Sequence, residues 1–127
     1  MGERVKKDYK KDLLTTIIEA IDEKKAQDIV VLNLSNISSR ICDYFVICTG
    51  TSNIHVESIV SHVELKVKKI LGEYPFSIEG LENAYWVILD YINVVVHVMQ
   101  PQARGYYELE KLWADAELTK INTVNYG

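Results

Sequence analysis

The chain has 127 residues, of which 48% are hydrophobic and 25% are charged, and its formal net charge is −4 at pH 7. These proportions are typical of a soluble globular protein, and the length suffices for one domain that buries roughly two thirds of its unfolded surface. No apolar stretch approaches the ~20 residues that a membrane-spanning helix requires. A mildly acidic chain also suits a basic protein partner better than the phosphates of a nucleic acid.

The first third of the chain predicts a helix followed by two strands. Apolar residues recur at helical spacing over 9–24, which predicts an amphipathic helix. Residues 28–34 then read as a buried strand, and residues 44–49 as a second one. The second strand is nearly continuous in its apolar character, as expected when both of its faces are covered.

A second helix follows the two strands, with a recognisable start and stop. Gly50 breaks the strand, and Ser52 can cap the helix through its hydroxyl. Apolar residues keep the 3,4 spacing for four turns, up to about Leu71, and Gly72 is a natural stop.

The second half of the chain predicts a short strand, a hairpin and a last helix. The short strand is expected around 76–78, and the hairpin strands at 85–89 and 94–99. The last helix is predicted over 104–116. Residues 119–127 lack a pattern and are expected to form a tail.

This order predicts an α/β fold in which helices pack on a mixed sheet of about four to five strands. We expect a single domain over 1–127, with 1–8 and 119–127 as flexible tails. The first residues lack the cleavage site of a secretory signal, which predicts a cytoplasmic protein. Cys42 and Cys48 lie six positions apart around one strand, too far for a disulfide, and are expected to be buried thiols.

The passage CTGTS at 48–52 invites comparison with nucleotidyltransferases, which hold triphosphate at a Gly-Ser turn between a strand and a helix. Such enzymes also need paired carboxylates for divalent cations, and no such pair follows here. His55, His62 and His97 match no metal-ligand spacing. We therefore predict no catalytic residue, metal or cofactor. A transferase that uses Ser52 and Asp90 remains the alternative.

The hairpin predicts a docking surface. Alternation places Trp86, Ile88 and Asp90 on one face of its first strand, and the second strand carries His97 among valines. Arg104 and the pair Tyr106-Tyr107 follow the hairpin and add to this surface. A two-residue turn would set Trp86 opposite His97, and a three-residue turn would set it opposite Val98. Packing of Trp86 in the core is the competing interpretation. A further alternative is an RNA-binding module led by the basic residues of the first dozen positions.

Four strings, in order, resemble the ribosomal silencing factor family, also called Iojap-related. They are DYFVICTGTSNIH at 43–55, Glu79-Gly80, WVILDYINVVVHVM at 86–99 and ARGYYELEKLWADA at 103–116. The resemblance extends over about 13–116. It implies a nucleotidyltransferase-like fold without the catalytic aspartates.

The resemblance also implies a function. Such a protein binds the large ribosomal subunit through its fourteenth protein, blocks joining of the small subunit and thereby represses translation. Family members often form homodimers, and no membrane, cofactor or sequence-specific nucleic acid is implied. The residues that correspond to a docking face are Trp86, Asp90, Tyr91, His97, Met99 and Arg104.

The hairpin turn departs from the family pattern. The family usually places Gly-Asp there, whereas this chain has Ile92-Asn93. Asn adopts the left-handed backbone conformation readily and Ile resists it. The register of the hairpin is therefore not fixed by the family pattern.

Overall fold

The computed structural model describes residues 9–122, and side chains from 12 onward. Within these residues, six strands and four helices follow one another in the order α1 (Tyr9–Glu23), β1 (Gln27–Asn33), β2 (Tyr44–Thr49), α2 (Asn53–Leu71), β3 (Ser77–Glu79), β4 (Trp86–Asp90), β5 (Val94–Met99), α3 (Pro101–Tyr107), α4 (Leu109–Leu112) and β6 (Glu117–Lys120).

The strands form one mixed sheet in the order β3-β4-β5-β2-β1-β6. β2 and β5 run parallel at its centre, and the other neighbouring pairs are antiparallel. The predicted α/β class is confirmed, although the sheet has more strands than the four to five expected. β2 begins and ends at the predicted residues. Its continuous apolar run is typical of a central strand with both faces covered.

Helices α1 and α2 cover one face of the sheet. Their apolar sides pack on the residues of β2, β4 and β5 that point towards them, and together these residues form the larger core cluster. α2 has the predicted ends. The Ser52 hydroxyl accepts a hydrogen bond from the His55 amide at 3.1 Å, and Gly72 adopts a left-handed conformation with φ 68°.

The opposite face of the sheet carries a second core cluster beneath α3 and α4. Its buried members are Val30, Leu32, Leu34, Cys42, Phe45, Ile47, Val95, Met99, Ala103 and Leu109. These two helices are short, with seven and four residues. Trp86 and Ile88 lie at the margin of this cluster and are only half-buried.

The predicted last helix, 104–116, is divided in two. α3 begins earlier, because Pro101 suits the first position of a helix, where its missing N–H costs nothing. Glu108 then adopts φ 49°, a left-handed conformation that ends α3 before α4 starts. The expected tail at 119–127 is also shorter, since residues 119 and 120 belong to β6 and pair with β1. Residues 1–8 and 123–127 of the expected tails lie outside the described residues.

The hairpin has neither of the two registers considered from the sequence. Trp86 pairs with Met99, Ile88 with His97, and the last pair joins Asp90 to Val95. Four residues therefore lie between the paired ends. The Asp90 carboxylate accepts a hydrogen bond from the Ile92 amide at 2.8 Å, and Ile92 itself takes the left-handed conformation with φ 74°. The Tyr91 amide donates a hydrogen bond to the Val94 carbonyl at 2.9 Å, which closes a tight turn around Ile92 and Asn93.

Candidate docking surface

Strand β4 presents different side chains to the two faces of the sheet. Val87 and Leu89 are fully buried beneath α1 and α2, while Trp86, Ile88 and Asp90 are half-buried on the other face. This alternation confirms the assignment of faces made from the sequence. Trp86 is accordingly neither sealed in the interior nor fully exposed.

Helix α3 brings two tyrosines to the same place. The ring of Tyr107 lies 4.6 Å from that of Trp86, centroid to centroid, and Tyr106 meets Tyr107 edge-on at 4.9 Å. Tyr106 is 79% exposed and Tyr107 is 46% exposed, so both rings keep a large area open to solvent. We define the docking surface as Trp86, Ile88, Asp90, Tyr106 and Tyr107.

The docking surface has an acidic border along the edge of the sheet. β3 pairs with β4 so that Ser77 lies beside Asp90 and Glu79 beside Ile88. Paired residues share a face of a sheet, and Glu79 is exposed. The surface therefore combines aromatic and aliphatic area with two carboxylates, Asp90 and Glu79, at its edge.

His97 lies directly beneath the surface and is only 5% exposed. Its Nδ1 accepts a hydrogen bond from the indole Nε1 of Trp86 at 3.1 Å, and the ring of Phe45 packs against it at 4.6 Å. Because burial penalises the charged form, the pKa of His97 falls to about 4. The imidazole is therefore neutral at physiological pH and acts as an acceptor towards Trp86.

Arg104, expected at the docking face, is instead held by internal contacts. One guanidinium nitrogen donates to the backbone carbonyl of Asp28 and, at 3.0 Å, to the Thr49 hydroxyl. The other nitrogen forms an ion pair with Glu110 at 2.8 Å. Arg104 thereby ties α3 and α4 to the ends of β1 and β2.

Two further residues expected at the docking face are buried. Met99 has no exposed surface and packs in the cluster beneath α3. Tyr91 follows the last residue of β4 and packs with the core residues on the α1 and α2 side. Of the six expected residues, the structure thus brings Trp86 and Asp90 to the surface and His97 directly below it.

The six expected residues do not include Ile88, Tyr106 and Tyr107, although the sequence indicated that these three lie near the docking surface. Ile88 has the same parity as Trp86 in β4, which is a signal that the sequence carries. Tyr107 is the last residue of α3, and its ring packs on the indole of Trp86, which is distant in the chain.

The residues considered for catalysis have structural roles. The Ser52 hydroxyl caps α2, and the Asp90 carboxylate accepts from the turn amide of Ile92. Burial raises the pKa of Cys42 to about 11 and that of Cys48 to about 12, so both thiols stay protonated. Among the described residues, no group of three or more His, Cys, Asp or Glu is placed to hold a metal ion. The helices within 9–122 include none that is long and apolar enough to cross a membrane.

A groove lies on another side of the molecule, next to Arg104. It has a volume of about 1120 Å³, and its lining includes Lys25, Asp28, Glu110 and Lys120. These charges are of mixed sign, and Arg104 and Glu110 are already paired with each other across the groove wall. The groove therefore lacks the aromatic character that distinguishes the docking surface.

The chain is similar to known proteins over most of its length. The sequence model of a family described as "Ribosomal silencing factor during starvation" matches residues 7–126. A ribosomal silencing factor of Halalkalibacterium halodurans is 42% identical over 113 residues, which are 89% of this chain and 95% of that protein. A mouse protein named mitochondrial assembly of ribosomal large subunit protein 1 is 34% identical over 111 residues, 83% of this chain and 48% of the mouse protein.

A solved structure has the same fold. The crystal structure of a Chromobacterium violaceum protein matches with a TM-score of 0.77 and 31% identity, and the match covers 90% of this chain and 94% of that one. The bacterial and mouse relatives carry names that refer to ribosomes and not to a catalysed reaction.

Proposed function

Because the chain belongs to the ribosomal silencing factor family, we propose that it represses translation by binding the large ribosomal subunit and blocking association with the small subunit. The docking surface meets a ribosomal protein, the fourteenth of the large subunit. The bulk of the domain then occupies space that the small subunit needs. The protein acts in the cytoplasm, carries no cofactor and catalyses no reaction.

The observation that supports this proposal most directly is the aromatic character of the docking surface. Trp86, Tyr106 and Tyr107 pack on one another, yet they keep exposed area. Trp and Tyr are the residue types that most often dominate the binding energy of protein interfaces. The carboxylates of Asp90 and Glu79 at the edge suit a basic partner, as many ribosomal proteins are.

Occupancy alone is a sufficient mechanism for such a factor. A standard interface buries ~800 Å² on each partner, and a few aromatic anchors in it can supply nanomolar to micromolar affinity. The name of the mouse relative refers to the large ribosomal subunit, which supports the choice of subunit. Self-association as a homodimer, which the family resemblance implies, would add further bulk to the obstruction.

Co-sedimentation with separated ribosomal subunits tests this function. We expect the wild-type protein to pellet with the large subunit and not with the small one, and to reduce the fraction of joined ribosomes in a sucrose gradient. Trp86→Ala should weaken binding by more than ~1 kcal/mol, or about fivefold, without unfolding the protein.

Tyr74→Ala provides a matched control. Tyr74 is also an exposed aromatic residue, but it lies after α2, beneath the ammonium group of Lys68. Its removal should leave binding unchanged. Pelleting with neither subunit would contradict the proposal. An affinity that is unchanged by Trp86→Ala but falls steeply between low and high salt would indicate direct contact with RNA instead.

A further inference from the structure

A histidine occupies the middle of a strand that is otherwise made of buried apolar residues. β5 reads VVVHVM, and all six residues are buried. A valine or leucine at position 97 could fill interior space without any polar atom to satisfy. An imidazole instead takes two ring nitrogens out of water, which is unfavourable unless hydrogen bonds compensate.

The hydrogen bonding of His97 is one-sided. Nδ1 accepts from the Trp86 indole at 3.1 Å, so the neutral ring must carry its hydrogen on Nε2. Nε2 is buried, and among residues 12–122 it has no hydrogen-bond partner. The imidazole therefore satisfies the indole while one of its own nitrogens stays unsatisfied. The arrangement gives the Trp86 indole a hydrogen-bond acceptor and leaves an unsatisfied donor in the core.

The indole of Trp86 is held by His97 on one side and by Tyr107 on the other. Phe45 packs edge-on against His97 at 4.6 Å, and Tyr107 packs against the indole at 4.6 Å. A continuous row of rings thus leads from the interior to the surface. An interface side chain that is already fixed in its bound orientation loses less conformational freedom when the partner docks.

We propose that His97 is a positioning residue for the docking surface: it holds the Trp86 indole, through its N–H, in the orientation that the partner contacts. His97 does not touch the partner itself. This inference rests on the proposed function, and it adds a buried residue that controls affinity from below the interface.

Three single variants test the inference. His97→Leu removes the acceptor, His97→Gln offers an amide oxygen as a replacement, and Trp86→Phe removes the donor. We expect the Leu variant to weaken binding to the large subunit by about fivefold to tenfold, the loss of about one hydrogen bond. The Gln variant should stay within about twofold of wild type. In the Trp86→Phe background, His97→Leu should have no further effect, because the interaction is already gone.

The indole N–H signals in a ¹⁵N–¹H spectrum give a readout that is independent of the ribosome. The Trp86 signal should move in His97→Leu and return towards its original position in His97→Gln. Trp113 packs on Phe45 with a ring separation of 5.7 Å and serves as the internal reference. A role of His97 in general core stability would not move the Trp86 signal selectively.

The outcomes separate the two proposals. If wild type does not bind the large subunit, the proposed function is wrong, and the positioning role is wrong with it. If wild type binds and His97→Leu binds equally well, the positioning role alone is overturned. His97→Val is a second variant without an acceptor. Unfolding of both the Leu and the Val variants would show that His97 serves the core and would likewise overturn the inference.

Discussion

The carboxylate of Glu23 and the ammonium group of Lys66 lie 2.6 Å apart and join the end of α1 to the middle of α2. The second carboxylate oxygen of Glu23 contacts Nε2 of His62 at 2.7 Å. Hydrogen bonds from Lys66 and His62 hold the pKa of Glu23 below its usual value, and the pKa of Lys66 is raised by the same pair. These contacts fix the two helices that cover the face of the sheet opposite the docking surface.

Glu23→Gln should therefore lower the free energy of unfolding at pH 7. We expect about 0.5–1 kcal/mol, because the pair is partly exposed and water screens it. A carboxyl group whose pKa is lower in the folded state stabilises the protein above its unfolded pKa and loses that effect as the pH falls. The difference between wild type and variant in urea denaturation should thus shrink below about pH 4.5. Glu57→Gln, on the exposed side of α2, is the control and should have no such effect.

Replacement of Ile92 should stabilise the protein. A β-branched residue with φ 74° is strained by about 1–2 kcal/mol, and its side chain is exposed, so little burial offsets the strain. Ile92→Gly should raise the free energy of unfolding by about 0.5–1 kcal/mol after the entropy cost of glycine. Ile41 is an exposed isoleucine without a positive φ, so Ile41→Gly should not stabilise. If both substitutions shifted the denaturation midpoint equally, the positive φ of Ile92 would not be a source of strain.

Acid should destabilise the protein through His97. Its pKa is about 4 in the folded protein, against an ordinary value of 6.5, so the unfolded chain takes up a proton first as the pH falls. The free energy of unfolding therefore keeps its full value above about pH 6.5 and falls progressively down to about pH 4. The total decrease from His97 is about 3 kcal/mol. Denaturant titrations of wild type and His97→Gln between pH 7 and pH 4 measure it. A pH dependence that is the same in both proteins would rule out this role of His97.

Several elements could be predicted from the sequence because their signals are local. Ser52 and Gly72 mark the ends of α2, and alternation in β4 assigns Trp86 and Val87 to opposite faces. β6 has no such signal, since its four residues are exposed and only the ladder with β1 orders them.

The extent of the docking surface depends on contacts between residues distant in the chain. Met99 and Trp86 are neighbours on one face of the sheet, yet Met99 is fully buried and Trp86 is only half-buried. The break at Glu108 is equally invisible in the sequence, because Glu is a good helix former and ordinarily avoids a positive φ. Alternation thus predicts which face a residue occupies, whereas burial on that face follows from how the short helices pack.

Arg104 provides the last prediction, because the structure shows internal contacts for a residue that was expected at the docking face. Its side chain is 14% exposed, and its guanidinium group holds α3 against Asp28, Thr49 and Glu110. Arg104→Ala should lower the free energy of unfolding by about 2–3 kcal/mol, because hydrogen bonds to charged groups are lost and Glu110 keeps its charge without its partner. In a double-mutant cycle with Glu110→Ala, the two losses should fall short of additivity by about 1 kcal/mol.

Ribosome binding by the Arg104 variant should weaken only as far as α3 shifts and carries Tyr106 and Tyr107 with it. Arg104→Lys keeps the charge but cannot reach three acceptors in the same fork geometry, so it should recover part of the stability and part of the binding together. A variant that keeps wild-type stability and loses binding would show that Arg104 touches the partner after all. Parallel recovery of both properties would instead identify Arg104 as a brace for the aromatic side chains of the docking surface.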